Sequence, residues 1–109
     1  MDWTPEKIKG EIDGDTIVVF AKGSKMAPMC GFSARAIDII RSYKKPFKVV
    51  NIFDHPSIRP ALVAHSQWPT TPQVFVKGEL IGGSDIVMEL HQSGELGKKI
   101  DAAFAEASA

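Results

Sequence analysis

The sequence predicts an α/β fold in which a four-stranded mixed sheet is covered by helices on both faces. Two strand-like segments, residues 16–21 and 47–52, flank a helical pattern at residues 34–43. A helix between two such strands forms a βαβ unit, whose strands run parallel with a right-handed crossover. Further along, a tight turn at Lys77-Gly78-Glu79 joins two short strands into an antiparallel hairpin.

The size and charge of the chain limit what it can be. With 109 residues, it is long enough for one domain and too short for two, so residues 1–109 are predicted to form a single domain. Its 13 basic and 13 acidic residues balance, which argues against nucleic acid or an anionic membrane as the main partner.

The sequence contains few features that indicate a cellular compartment. No apolar run approaches the length of a membrane span, and the acidic N-terminus does not resemble a secretory signal. The one cysteine cannot form an internal disulfide, and a thiol that must stay free suits a reducing environment. We therefore expect a cytoplasmic protein, or an organelle-matrix protein if a transit peptide has been removed.

The first half of the chain follows the βαβ pattern. Thr4-Pro5 is typical of an N-cap followed by proline at the first helical position, which predicts a short helix to about residue 11. Residues 16–21 are β-branched and apolar on both faces, as in a central buried strand. In the helical pattern at residues 34–43, apolar residues recur on one face, and Lys45-Pro46 ends it.

The second half predicts the hairpin and the remaining helices. Asp54-His55-Pro56-Ser57 opens a helix that ends before residues 68–72, and strands follow at residues 73–77 and from residue 80. Gly82-Gly83 then ends the sheet. Ser84 or Asp85 is predicted to cap a helix that runs to about residue 92, and a last helix extends toward residue 105.

Cys30 is the residue with the clearest chemistry. It lies between the strand at residues 16–21 and the helix that follows, and hence at or next to a helix N-terminus. Unpaired N–H groups and the positive end of the helix dipole favour thiolate there, and Lys22 adds a positive charge. The alternative is an inert core cysteine that acts as a small apolar residue.

Four motifs in order resemble those of monothiol glutaredoxins of the CGFS type. Cys30-Gly31-Phe32-Ser33 is similar to the active-site signature, and Lys22 lies where that family carries a lysine. Trp68-Pro69-Thr70-Thr71-Pro72-Gln73 resembles the cis-proline motif, and Gly82-Gly83-Ser84-Asp85 resembles Gly-Gly-Cys-Asp. The resemblance spans about residues 5–100 and implies a thioredoxin-like (glutaredoxin) fold. Because Ser84 replaces the family's frequent second cysteine, no internal disulfide can form.

The resemblance implies a glutathione site. Lys22 and Arg59 would meet the glycyl carboxylate, and the Thr71 peptide before Pro72 would pair with the glutathione backbone, with a cis Thr71–Pro72 bond. From the residues alone, Arg59 is more typical of a solvated helix residue, and Thr71-Pro72 of an ordinary turn.

The other end of glutathione is expected at the start of the helix after Gly83. Gly83 allows close approach of backbone to ligand, and the N–H groups of Ser84 and Asp85 suit the γ-glutamyl carboxylate. The Asp85 carboxylate can accept from the glutathione amine. Without the other motifs, Ser84-Asp85 is a plain helix cap.

Ser33 occupies the position where dithiol enzymes carry the resolving cysteine, which leaves Cys30 either thiol exchange with glutathione or metal ligation. A [2Fe–2S] cluster ordinarily takes four thiolates. Two chains supply two, so the other two must be exogenous thiols, for which glutathione is the abundant cytosolic candidate. His55, His65 and His91 have no metal-ligand spacing with one another or with Cys30.

The resemblance accordingly implies a homodimer bridged by a [2Fe–2S] cluster, with Cys30 as the metal ligand. Such a protein passes clusters to iron–sulfur acceptor proteins in cluster assembly and iron homeostasis, and pairs with a BolA-like protein. The alternatives are a glutathione-dependent oxidoreductase that deglutathionylates proteins with Cys30 as catalytic nucleophile, and an iron- or redox-sensing adaptor.

Overall fold

The structure is a computed structural model that describes residues 2–108, and it confirms the predicted fold class. Helices and strands alternate much as the sequence predicts. In chain order they are α1 (Pro5–Asp13), β1 (Ile17–Ala21), α2 (Gly31–Arg41), β2 (Lys48–Asn51), α3 (Ile58–Ser66), β3 (Gln73–Val76), β4 (Glu79–Gly82), α4 (Ser84–Ser93) and α5 (Glu95–Ser108), with a 3-10 turn at Ile52–Asp54.

The sheet has four strands in the order β2-β1-β3-β4. β1 runs parallel to β2 and antiparallel to β3, and β3 runs antiparallel to β4. Val19 of β1 pairs with Val49 on one side and with Val74 on the other. β1 is therefore the central, fully buried strand that its apolar run predicts, and its carboxyl end leads to the cysteine loop.

Side chains alternate along β1 and divide the core into two layers. Ile17, Val19 and Ala21 pack with α2, α4 and α5, whereas Val18 and Phe20 pack with α1 and α3. In the second layer Phe20 meets Phe75 edge-to-face, with ring centroids 5.8 Å apart. Because both faces are apolar, helices cover both faces, and α2 is fixed against α4 on one of them.

Some boundaries differ from the prediction. α2 begins at Gly31 rather than at residue 34, and β4 begins at Glu79 rather than at residue 80. The prediction that Ser84 or Asp85 caps α4 is wrong, because Gly83 is the N-cap and no side chain caps the helix. Both residues lie inside the first turn, where their side chains have another partner. Within residues 2–108, none of the helices combines the length and the apolar character needed to span a bilayer.

Candidate functional site

The loop between β1 and α2 holds Cys30 at the N-cap of α2, as its position in the sequence predicts, and the residue is half-buried with an extended backbone. The Met29 N–H donates to the Lys22 carbonyl at 2.8 Å, and Gly23 forms an antiparallel bridge with Pro28. Gly23 has a φ of +99°, and a Cβ there would lie 2.5 Å from the Met29 nitrogen. Only glycine fits this close crossing of the backbone.

The pKa of the Cys30 thiol is lowered from its ordinary value, as predicted. The largest cause is the backbone N–H of Ser33, opposed by desolvation, with further lowering by the Phe32 N–H and the Ser33 hydroxyl. The positive charge of Lys22 acts in the predicted direction but contributes least. The helix terminus, rather than the lysine, therefore activates the thiol.

Ser33 connects the thiol to the strand that precedes the loop. Its side chain is fully buried, and its oxygen accepts a hydrogen bond from the Lys22 N–H at 3.0 Å. The hydroxyl hydrogen then remains for the sulfur of Cys30. A hydroxyl cannot attack a disulfide, so a second molecule must release any mixed disulfide that Cys30 forms.

A cleft of about 510 Å³ adjoins the thiol. Every predicted site residue other than the cysteine lines it: Lys22, Arg59, Thr71, Pro72, Gly83, Ser84 and Asp85. Cys30 is not a lining residue, but its neighbour Phe32 lines the near end. Trp68, Thr70 and Ile86 also line the cleft, and the sequence analysis did not assign them to the site.

Lys22 and Arg59 bring two positive charges to this cleft. Within the part of the chain that the structure describes, neither side chain forms an ion pair with a carboxylate, and Arg59 donates only to the Pro69 carbonyl at 3.3 Å. Arg59 is exposed on α3, so its guanidinium is available to an anionic ligand.

The cleft also presents polar groups without partners among the described residues. The Thr71–Pro72 bond is cis, as predicted. The Thr71 hydroxyl and the Trp68 indole N–H are buried without a hydrogen-bond partner among the described residues. A Cβ on Gly83 would lie 3.3 Å from the Pro72 carbonyl and 3.8 Å from the indole nitrogen. Buried polar atoms without partners are uncommon in proteins, so these groups fit a polar ligand.

Arg35 contacts two of the residues that line the cleft, and the sequence analysis missed it. Its Nε donates to the Ser84 hydroxyl oxygen at 2.7 Å, and its Nη2 pairs with the Asp85 carboxylate. Arg35 lies on α2 and its partners lie on α4, 49 and 50 residues away. No local pattern joins positions so far apart in the chain, and only the packing of the two helices reveals the contact.

The three histidines lie on different segments, and two of them have hydrogen-bond partners of their own. His55 bonds to Ser57, and His91 bonds to the Tyr43 hydroxyl at 2.6 Å. Among residues 2–108, no three His, Cys, Asp or Glu side chains are grouped as a metal site. Cys30 is the one thiol of the chain.

Exposed apolar side chains surround the thiol. Met26 is 85% exposed, Met29 72% and Phe32 59%, and all three lie within four residues of Cys30. Surfaces of this kind are typical of protein contacts when they adjoin a functional group.

The mixed sheet, a thiol at the start of α2 and a cis-proline in the adjoining cleft define a protein of the thioredoxin-like class. A family model described as Glutaredoxin matches residues 17–81. The chain is 50% identical over 93 residues to Glutaredoxin 4 of Pasteurella multocida (strain Pm70), covering 85% of each chain. It is 45% identical over 95 residues to a probable monothiol glutaredoxin 2 of Rickettsia felis, covering 87% of this chain and 91% of that one.

A solved structure agrees with these matches. The crystal structure of a buckwheat glutaredoxin–glutathione complex superposes with a TM-score of 0.81 at 26% identity, over 93% of this chain and 90% of that one. The chain belongs to the glutaredoxin family. Its one cysteine and its relatives make it a monothiol glutaredoxin.

Proposed function

We propose that this monothiol glutaredoxin is of the CGFS type, binds glutathione in the cleft, and carries a [2Fe–2S] cluster between two copies of the chain. It then passes the cluster to acceptor proteins in iron–sulfur assembly and iron homeostasis. One observation carries the proposal. The activated thiol of Cys30, with a buried hydroxyl at the resolving position, adjoins a cleft of unpaired cations and unsatisfied polar groups.

We propose that glutathione lies along the cleft. Lys22 and Arg59, which line it, would bind the glycyl carboxylate, and the Thr71 backbone beside Pro72 would pair with the peptide. The first turn of α4 offers backbone N–H groups to the γ-glutamyl carboxylate, because no side chain caps that helix. The buckwheat relative solved as a glutathione complex supports the assignment.

The cluster requires a second chain. Four thiolates ordinarily hold a [2Fe–2S] cluster, and Cys30 supplies one for each protomer. Two glutathiones, one in each cleft, supply the rest. The exposed Met26, Met29 and Phe32 surround the thiol and favour burial against another chain. We propose the same face for a BolA-like partner and for acceptor proteins.

The second candidate is a glutathione-dependent oxidoreductase, which the lowered pKa of Cys30 favours. The Cys30 thiolate would attack the glutathione sulfur of a glutathionylated protein and release the protein thiolate. A second glutathione thiolate would attack the mixed disulfide, leaving as glutathione disulfide and restoring Cys30. Because Ser33 cannot take part, we expect this activity to be weak.

Anaerobic reconstitution with iron, sulfide and glutathione tests the proposal. One purified holo sample is analysed for iron, sulfide, glutathione and mass. We expect two chains and two glutathiones for each cluster, and return to monomer when glutathione is removed. Cys30→Ser should abolish the colour. A coloured species without glutathione, or a coloured Cys30→Ser variant, would contradict the mechanism.

An arginine variant tests the glutathione contact in the same assay. Arg59→Ala should weaken cluster retention by about 1–3 kcal/mol, the usual range for a charged hydrogen-bond partner. Lys9→Ala is the control cation, since Lys9 is exposed on α1 and pairs with Asp13 away from the cleft. Glutathione-dependent reductase turnover similar to that of a dithiol glutaredoxin would favour the second candidate instead.

We propose that residues 1–109 form one glutaredoxin domain and that the protein acts in the cytoplasm, where a free thiol stays reduced.

A further inference from the structure

We propose that Arg35 is a positioning residue that makes the α4 end of the cleft select a carboxylate over an ammonium group. The inference rests on the proposed function, because it concerns the γ-glutamyl group of the same glutathione. That group carries both charges on one carbon, and the balance of charge on the protein surface decides which of them contributes more to binding.

Arg35 acts on two neighbouring residues at once. Its Nε donates to the Ser84 oxygen at 2.7 Å, while its Nη2 pairs with the Asp85 carboxylate. Ser84 is only 5% exposed, so the hydrogen bond between Arg35 and Ser84 lies in the more buried part of the contact. The Asp85 side chain is 87% exposed and the Arg35 side chain 38%, so the ion pair lies at the solvent edge.

Arg35 contacts Ser84 and Asp85 without lining the cleft itself. Ser84 and Asp85 line the cleft, whereas Arg35 lines a separate groove between α2 and α4 with Ala34, Asp38 and Met88. The neighbouring Asp38 pairs with Arg41, and Arg35 forms its ion pair with Asp85 on α4. Arg35 therefore influences a ligand through Ser84 and Asp85 rather than by direct contact.

The contact changes what each partner offers to a ligand. Because the Ser84 oxygen accepts from Arg35, its own hydrogen remains to be donated to another acceptor. The guanidinium also offsets the negative charge of Asp85, which otherwise attracts ammonium groups and repels carboxylates. With the uncapped N–H groups at the start of α4, the subsite becomes a set of donors suited to a carboxylate.

Two glutathione analogues separate these charges. Glutaryl-cysteinylglycine keeps the carboxylate and lacks the amine, and 4-aminobutyryl-cysteinylglycine keeps the amine and lacks the carboxylate. Both are used S-methylated, with S-methylglutathione as reference, so that no disulfide forms. Binding is followed by calorimetry and by the fluorescence of Trp68, which lines the cleft.

The ratio of the two affinities is the informative quantity. The wild type should bind the glutaryl analogue more tightly than the aminobutyryl analogue. Arg35→Gln should lower that preference about fivefold, since it restores the charge of Asp85 at an exposed site. Arg41→Gln, on the same helix, should leave the ratio unchanged. General loosening of the helix contact would weaken both analogues together and would not move the ratio.

The outcomes are distinguishable. If wild-type protein does not bind S-methylglutathione, the proposed function fails. If the wild type binds it but Arg35→Gln keeps the wild-type ratio, the inference about Arg35 is overturned and the proposed function stands. Should Arg35→Gln not fold, Asp85→Asn gives the opposite test. It removes the carboxylate and leaves the guanidinium, so the preference for the glutaryl analogue should rise, and an unchanged or lower ratio would overturn the inference.

Discussion

Ser33→Ala is the substitution that most directly tests how the fold activates its thiol. The Ser33 oxygen is fully buried and accepts from the Lys22 N–H at 3.0 Å, and the hydroxyl also lowers the pKa of Cys30. Alanine removes one oxygen and fits the same space. Two separate effects are therefore expected, one on the stability of the protein and one on the thiol.

The stability effect follows from the backbone donor that is left without an acceptor. A buried donor without a partner costs about 1–3 kcal/mol, and because this bond is only partly buried we expect about 1–2 kcal/mol. In a domain of this size, 1 kcal/mol lowers the Tm by about 4–8 °C, so the expected fall is about 4–16 °C.

The second effect is on the pKa of the Cys30 thiol. Losing a donor to the thiolate disfavours the charged form, so the pKa of Cys30 should rise. The Ser33 N–H, which is the largest cause of the lowered pKa, belongs to the backbone and survives the substitution. The rise should therefore be partial.

Thermal unfolding followed by circular dichroism, and the rate of Cys30 alkylation against pH, measure the two effects. Ser42→Ala, at the C-cap of the same helix, is the control, because Ser42 is an exposed residue whose hydroxyl donates to the Ile39 carbonyl at 2.6 Å, and its loss should change stability by under about 0.5 kcal/mol. A Ser33→Ala protein as stable as Ser42→Ala, or one with an unchanged or lower alkylation midpoint, would refute the role of Ser33.

Two further predictions use the same loop. The folded-state pKa of Cys30 is lowered, so its thiolate stabilises the folded state only above that pKa. The stability of the wild type relative to Cys30→Ser should therefore grow as the pH rises toward the ordinary thiol value of about 8.5 and then level off. Urea unfolding at stepped pH measures this, and a difference that does not vary with pH would contradict it. Gly23→Ala should lower the free energy of unfolding by more than about 1 kcal/mol, because its φ is +99° and the new Cβ would lie 2.5 Å from the Met29 nitrogen. Gly10→Ala is its control, since nothing lies within 4 Å of the new Cβ on α1, and it should gain about 0.5–1 kcal/mol. A Gly23→Ala protein as stable as the wild type would show that the loop can rearrange.

The sequence alone determined the elements whose signals are local. The unbroken apolar run of β1 required burial on both faces, and the structure places that strand at the centre of the sheet. Thr4 before Pro5 predicted the start of α1, where the Thr4 hydroxyl accepts from the Lys7 N–H. The motifs around Cys30, Pro72 and Gly83 likewise placed the candidate site residues, which lie at one cleft and beside it.

The tertiary structure alone decided the contacts that join distant segments. Ser84 and Asp85 have the composition of a helix cap, but Arg35 engages both side chains from a helix about 50 residues earlier, and Gly83 takes the cap position. Glycine, phenylalanine and serine are weak helix formers, so residues 31–33 gave no helical signal. They are helical in the structure, and the buried Ser33 hydroxyl, bonded to the Lys22 backbone, holds this first turn against the preceding strand. Such bonds depend on how α2 packs between the sheet and α4. The helix propensity of a short segment does not include that packing, so it could not predict them.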